Sequence, residues 1–180
     1  MSEKMITPPF RGSFVALVKA VNINGESDPD KAKFQLTVVL DKKDAFWKKV
    51  AAAIKATGEE KWGKVPAKMK KPVKDGDESD YPEFAGCYTL QASSFRKPDA
   101  VDMALQPIMS ADELYSGAWY RASIRPFAWD HPTGGKGVSF ALDNVMKVKD
   151  DDPLSGSGTA AGDFADFAEE EAGEAEGLLD

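Results

Sequence analysis

Ala118-Trp-Tyr-Arg-Ala-Ser-Ile-Arg-Pro-Phe-Ala-Trp129 opens the run, residues 119–149, around which the rest of the chain is organised. A β-strand has a side-chain period of two, and with that period the stretch separates into unlike faces. Ala118, Tyr120, Ala122, Ile124, Pro126 and Ala128 are small or apolar and suit a core. Trp119, Arg121, Ser123, Arg125, Phe127 and Trp129 form the other face, where rings alternate with cations. On an open sheet such a set suits one strand of nucleic acid, because bases stack on rings and guanidiniums meet phosphates. Register is the exposed assumption: a bulge at Pro126 would turn Phe127 and Trp129 away from the face of Trp119.

A turn at Ser116-Gly117 delivers this strand. After the Gly/Pro loop Asp130-His-Pro-Thr-Gly-Gly-Lys136, residues 137–149 pair back with Val138, Phe140, Leu142, Met146 and Val148 facing in. Upstream, residues 86–95 read as another strand, with Tyr88, Leu90 and Ala92 opposite Cys87, Thr89, Gln91 and Ser93. Residues 33–40 alternate Phe34, Leu36, Val38 and Leu40 with Lys33, Gln35 and Thr37. Residues 10–23 carry apolar groups on both faces, as a central strand or one bent around a closed sheet does. Residues 1–9 read as an arm without periodicity. Asp44 caps a helix over residues 45–56 that stops at Gly58, with Phe46, Trp47, Val50, Ala53 and Ile54 as its apolar stripe; Trp47 belongs to the core. Ser110-Ala-Asp-Glu113 resembles a capping box for a short helix. At least five short antiparallel strands, one main helix and long loops predict a small β-barrel.

Charge divides the chain in two. The last 31 residues hold eleven acids and no base, which leaves 19 acids against 23 bases in the body, a balance of +4 under an overall −7. The expected organisation is a folded domain, residues 1–150, and a disordered acidic tail, residues 151–180, too polar to offset its ordering entropy by burial. Phe164, Phe167, Leu178 and Leu179 stand among the acids as a short docking motif would. Between residues 42 and 74 eleven lysines face three acids. That density is either a solvated surface or a phosphate track, and Lys64, Lys68, Lys70 and Lys71 are the candidates, with Lys33 on its strand. Trp62 within this stretch either stacks a base or anchors the loop.

Catalytic chemistry finds little footing. One histidine, His131, and one cysteine, Cys87, assemble no zinc site, and one cysteine makes no internal disulfide. Gly134-Gly-Lys-Gly137 lacks the spacing of a phosphate-binding loop, and nothing near His131 is a nucleophile elbow. Asp75-Gly-Asp-Glu-Ser-Asp80 misplaces the glycine and glutamate of a calcium loop. No cofactor and no metal are expected. No apolar run approaches the roughly 20 residues of a membrane helix, and the N-terminus has no signal-peptide core; a soluble protein of the cytoplasm is expected.

Residues 117–129 followed by Gly135-Lys-Gly-Val-Ser-Phe-Ala-Leu-Asp-Asn-Val-Met-Lys-Val-Lys-Asp150 resemble the C-terminal half of bacteriophage single-stranded DNA-binding proteins. So do Lys71-Pro-Val-Lys-Asp-Gly-Asp77, Gly86-Cys-Tyr-Thr-Leu-Gln-Ala-Ser-Ser94, Lys97-Pro98 and the acidic tail. The resemblance covers residues 10–150. It implies a five-stranded OB-fold-like antiparallel barrel that coats single-stranded DNA in phage replication, recombination and repair in the host cytoplasm. It also implies a tail that docks phage or host replication proteins; the tail's charge, opposite to that of the body, is expected to let it lie over the binding groove and modulate DNA binding. Trp119, Arg121, Arg125, Phe127 and Trp129 are the implied binding face. Rival readings are an OB-like protein-interaction module and a metal-dependent nuclease; oligomeric state is left open.

Overall fold

The computed structural model describes residues 3–22 and 29–154. Along them run β1 (Met5–Ile6), β2 (Phe10–Arg11), β3 (Ser13–Val21), β4 (Lys33–Asp41), α1 (Phe46–Trp62), β5 (Val73–Asp75), β6 (Cys87–Ser94), β7 (Asp99–Val101), β8 (Trp119–His131) and β9 (Gly135–Lys149). Among the described residues the strands make one sheet in the order β1-β8-β9-β6-β4-β3. Only Gly12 separates β2 from β3, yet β2 pairs with β8 and β3 with β4. One short segment therefore joins both ends of the strand order. The sheet closes into a five-stranded barrel of β2/β3, β4, β6, β8 and β9, the mainly β, OB-fold-like architecture expected. Gly12 is required at the crossing, because a Cβ there would stand 2.6 Å from the Tyr120 ring.

Inward residues of every long strand meet in one core. Phe10, Leu36, Val38, Leu90, Tyr120, Ile124, Val138 and Phe140 are all but fully buried, and each large apolar side chain so placed contributes about 1.5–3 kcal/mol. Tyr120 keeps its hydroxyl satisfied by donating to the Tyr115 carbonyl at 2.7 Å. Helix α1 adds Phe46, Trp47, Val50 and Ile54. Trp47 is core, and its indole donates to the Asp41 carbonyl at 3.0 Å.

The alternation in β8 holds along its whole length: Pro126 pairs in register with Phe140, and the irregularities lie on the partner strand. Asp143 is the extra residue of β9, between Leu142 opposite Ile124 and Asn144 opposite Ser123. It shifts the phase of β9 by one. Val145, not Met146, consequently enters the core, and Met146 pairs with Arg121 on the outward face. Val148 is a second such residue, between Lys147 opposite Tyr120 and Lys149 opposite Trp119.

Two other expectations are corrected. The N-terminal arm is pinned to the sheet: Met5 and Ile6 pair with Ile124 and Ser123, and the buried Thr7 hydroxyl accepts from the Ala122 amide at 2.9 Å. These contacts satisfy backbone groups that the edge of β8 would otherwise leave bare. The helix continues through Gly58 to Trp62. Gly58 is where the chain at Val65 and Met69 passes closest, and Gly63, at φ +79°, ends the helix by donating its N–H to the Glu59 carbonyl. Asp44 caps from one residue outside, its carboxylate accepting from the Phe46 amide at 2.8 Å. The short helix after Ser110 is a single 3-10 turn. No described helix is long and apolar enough to cross a membrane. Nearly all of the acidic tail, with Phe164, Phe167, Leu178 and Leu179, lies outside the described residues.

Candidate nucleic-acid interface

Strand register carries the outward face of β8 across the barrel. Gln35 pairs with Ser93, Ser93 with Ala141, and Ala141 with Arg125, so one row of outward side chains crosses β4, β6, β9 and β8. Beside it Thr37 pairs with Gln91, and Ser139 with Phe127. Short polar side chains thus floor a groove of about 1060 Å³ lined by Thr37, Thr89, Gln91 and Ser139.

Phe14 and Tyr81 form one wall of this groove. Their rings meet edge to face at 5.2 Å, both lean on the buried Phe84, and they are 43% and 46% exposed. Phe14 owes its position to a bulge: three steps along β3, from Ser13 to Ala16, match two along β4. Its φ is +49°, a left-handed conformation that costs an ordinary residue about 1 kcal/mol. Gln91 donates to the Gln35 side-chain carbonyl at 2.7 Å, and Gln35 donates in turn to the Phe14 carbonyl. The floor of the groove therefore supports its wall.

Tyr81 is held by a clip built from the acidic run. The Lys42 ammonium stands 2.7 Å from Asp75 and 2.6 Å from Asp77. Asp75 also accepts from the Asp77 amide, and Asp77 from the Gly86 amide. Gly76 passes so close to the Phe84 carbonyl that a Cβ would stand 2.1 Å from it. The hydrogen bonds from Lys42 draw both carboxyls below their ordinary range, and those two carboxylates hold the lysine above its own. Where a calcium loop would hold a metal, an internal ammonium sits; no described cluster of His, Cys, Asp or Glu is arranged to take one.

Lys71 and Lys74 also line the groove and are exposed. Their loop is tied to β9, the Lys70 amide donating to the Lys136 carbonyl and the Val138 amide to the Lys70 carbonyl. That tie brings the Lys70 ammonium over the Trp129 ring, 5.9 Å from its centroid. Lys64 and Lys68 are exposed on the same loop, away from the groove lining. Trp62 is half-buried against the core with Lys136 over its ring, and Lys33 lies over the Phe95 ring at the start of β4.

On β8, Arg121 is exposed and has no ion-pair partner among the described residues. Arg125 is exposed but paired to Asp143 at 2.6 Å. Phe127 is 41% exposed. Trp129 is half-buried: it lies across the hairpin on Gly137, where a Cβ would stand 2.2 Å from the indole, and its N–H donates to the Ser139 hydroxyl at 3.0 Å. Trp119 is also half-buried, under the Lys149 ammonium at 4.9 Å, and donates to the Asp151 carboxylate at 2.8 Å. The lone histidine, His131, shapes the β8–β9 turn, its Nδ1 accepting from the Gly134 amide. The groove brings Phe14, Tyr81, Lys74 and a polar floor together beside the β8 face and the lysine loop that the sequence singles out, and none of these additional residues is named as a binding candidate from the sequence. The signal available was the run of polar outward residues on two strands, Gln35 and Thr37 with Thr89, Gln91 and Ser93.

Residues 3–175 match the model of the family described as Enterobacter phage Enc34, ssDNA-binding protein. The chain belongs to this family. Its barrel superposes on the single-stranded DNA-binding protein of bacteriophage Enc34 in complex with ssDNA with a TM-score of 0.74 at 28% identity, over 84% of this chain and 89% of that one. Protein p50 of Acyrthosiphon pisum secondary endosymbiont phage 1 is 28% identical over 176 residues, 89% of this chain and 93% of its own length. The single-stranded DNA-binding protein gp2.5 of bacteriophage T7 shares the fold, with a TM-score of 0.62 at 15% identity over 94% and 97% of the two chains.

In this member of the Enc34 family the root of the tail is fastened to the body. Arg11 donates to the Gly117 carbonyl at 3.0 Å and to the Asp152 carbonyl at 2.6 Å. The Tyr115 hydroxyl meets Asp150 and Asp151, and the Leu154 amide donates to the Ser116 carbonyl. The Trp119 N–H draws the Asp151 carboxyl below its ordinary range. The acidic segment thus departs from a fixed point beside the first aromatic of β8.

Proposed function

We propose that the chain binds single-stranded DNA without strong sequence preference along one path. The path enters over the paired rings of Phe14 and Tyr81, crosses the floor at Gln91 and Ser139, and leaves over Phe127, Arg125 and Arg121. The observation that carries this reading is the unbroken row of outward side chains from Gln35 to Arg125, with open rings at one end and, at the other, Arg125 paired to Asp143 and then Arg121, which has no ion-pair partner among the described residues. Kinship with the Enc34 protein, which has been seen with ssDNA, supports it. Lys70, Lys71 and Lys74 meet phosphates beside the floor, and Lys64 and Lys68 extend the track. Lys33 and Trp119 lie at the margins of the path. Trp129 and Trp62 serve it from beneath, as supports for the hairpin and the lysine loop. Stacking contributes about 1–3 kcal/mol per base, and cation contacts make affinity fall with salt.

The protein acts as a coat, not an enzyme, in phage DNA replication, recombination and repair in the host cytoplasm. Its tail, carrying charge opposite to the body, covers the groove and docks replication proteins through Phe164, Phe167, Leu178 or Leu179. Titration of the full chain with oligo(dT) tests the path: tryptophan emission from Trp129 and Trp119 changes on binding, and Phe14→Ala with Tyr81→Ala weakens it. Oligo(dT) binding untouched by that pair would refute the path. Truncation after Leu154 is expected to tighten binding at low salt, and unchanged affinity would refute the covering role of the tail.

A further inference from the structure

Segment 95–113 forms a hairpin that the DNA path does not use. Its entering leg is β7, laid parallel to β9 through Asp99–Asn144, Ala100–Val145 and Val101–Met146. Its leaving leg returns beside β7, with Val101 bridged to Pro107 and the Ile108 amide donating to the Ala100 carbonyl at 2.8 Å. The tip is rigid: the Asp102 carboxylate accepts from the amides of Ala104 and Gln106, and the Asp102 carbonyl from the amide of Leu105. Leu105 is held at φ +62°, a conformation in which leucine is rare.

This tight loop displays apolar groups to water. Met103, Leu105 and Met109 are 64%, 66% and 74% exposed. Along the paired legs lies a shallow groove of about 460 Å³, walled by Pro98, Val101, Pro107, Ile108 and Met109 with Lys97 and Asp99 also in its lining. Apolar projections and an apolar recess on one patch are complementary to themselves. Charge follows the same rule. The entering leg begins with Arg96 and Lys97, the leaving leg ends with Asp112 and Glu113, all four are exposed, and none is ion-paired among the described residues.

We propose that this hairpin is the interface of a two-fold homodimer. An axis along the hairpin sets the entering leg of one copy against the leaving leg of the other. Arg96 and Lys97 then meet the partner's acidic pair twice, the tips pack at the axis, and each Met109 faces the partner's recess. Such self-complementarity is what an isologous contact demands. A nucleic-acid partner does not suit the patch, since its apolar tip is flanked by Asp99, Asp102, Asp112 and Glu113. The hairpin shares no residue with the groove lined by Phe14 and Tyr81. The dimer therefore carries two open DNA paths, and a strand long enough to reach both binds with the gain of a second, intramolecular contact.

The test is sedimentation velocity of the full chain across a concentration series, with three variants. Leu105→Asn removes the apolar tip while fitting the left-handed backbone better than leucine does. It is expected to raise the dimer dissociation constant by about tenfold or more without lowering the melting temperature. Arg96→Glu is expected to weaken the dimer, and Arg96→Glu combined with Glu113→Arg to restore it. In parallel, the advantage of a long over a short oligonucleotide shrinks in Leu105→Asn while short-oligonucleotide affinity stays the same. A chain that sediments as a monomer throughout, or a dimer indifferent to Leu105 and to the charge exchange, overturns the proposal. Neither outcome bears on the DNA path, which short oligonucleotides report separately.

Discussion

The two ends of the outward face use their aromatic rings differently. On β8 and β9, Trp129 covers Gly137 and bonds Ser139, Trp119 bonds Asp151 beneath Lys149, and Arg125 is neutralised by Asp143. Across the groove, Phe14 and Tyr81 touch each other and Phe84 but keep open faces, and neither side chain has a polar tie to another described residue. A half-buried indole whose N–H is already satisfied is part of the fold first. Rings pushed outward by a bulge and a clipped loop keep their faces open to solvent. On the proposed path, large aromatics in a regular strand therefore serve as the platform's foundation and the displaced rings as its contact points.

The largest test of this contrast is the double variant Phe14→Ala with Tyr81→Ala. It is expected to weaken oligo(dT) binding by about 2–6 kcal/mol, the worth of two stacked bases, while the melting temperature hardly moves. Relief of the left-handed strain is not part of that effect, because alanine at residue 14 inherits the same backbone. Trp129→Ala should do the reverse. It strips the cover from Gly137 and is expected to cost about 2–3 kcal/mol of folding stability in urea denaturation, with a smaller loss of affinity. A Trp129 variant that keeps its stability and loses more binding than the double variant would invert the comparison.

Finer resolution comes from the arginines. Arg121→Ala is expected to lower the slope of log affinity against log salt by about one, the signature of one lost phosphate contact. Arg125→Ala should change it less, since Arg125 already has Asp143 as its counter-ion. Equal slopes in the two variants would mean that the ion pair opens on binding.

The smallest effect concerns the clip. Asp75 and Asp77 have folded pKa values lowered by Lys42, so the folded state prefers them ionised. Their contribution is present above the ordinary carboxylate range and lost as pH falls through the lowered values, below about pH 4. Lys42, raised above its ordinary value, loses its share only in strong alkali. All three groups are exposed to water and screened, so the change is small. The acid limb of the melting curve should flatten in Lys42→Met, and an unaltered limb would show that the clip does not hold the Tyr81 loop.

Legibility followed local pattern. β8 was readable because its alternation runs unbroken from Ala118 to Trp129, the extra residues Asp143 and Val148 having fallen on its partner. For the same reason β9 was misread beyond Leu142: a bulge leaves no mark in composition, and Met146 is as apolar as Val145. Gly58 read as a helix stop because glycine usually ends helices, whereas here it makes room for Val65 and Met69. The open rings escaped notice on different grounds. Phe14 depends on a bulge between two strands, and Tyr81 on a loop that Lys42 ties down through Asp77, 35 residues further along the sequence. Neither is periodic. The polar outward residues of β4 and β6 were each visible, but that they meet in one row with Arg125 is a fact of pairing.

Gly12 carries a consequence in time as well as in space. The strand it bends must find β8, and the contacts that close the barrel span 106 residues from Arg11 to Gly117 and 115 from Thr7 to Ala122. Contacts of such separation make folding slow. During synthesis the N-terminal strand has no partner on that side until β8 leaves the ribosome, and Phe14 stands two residues beyond the hinge. The aromatic wall rests on contacts made before residue 92, whereas the far end of the row at Arg125 joins it only through β9 and β8, so the whole outward face exists only once nearly the whole domain has been made.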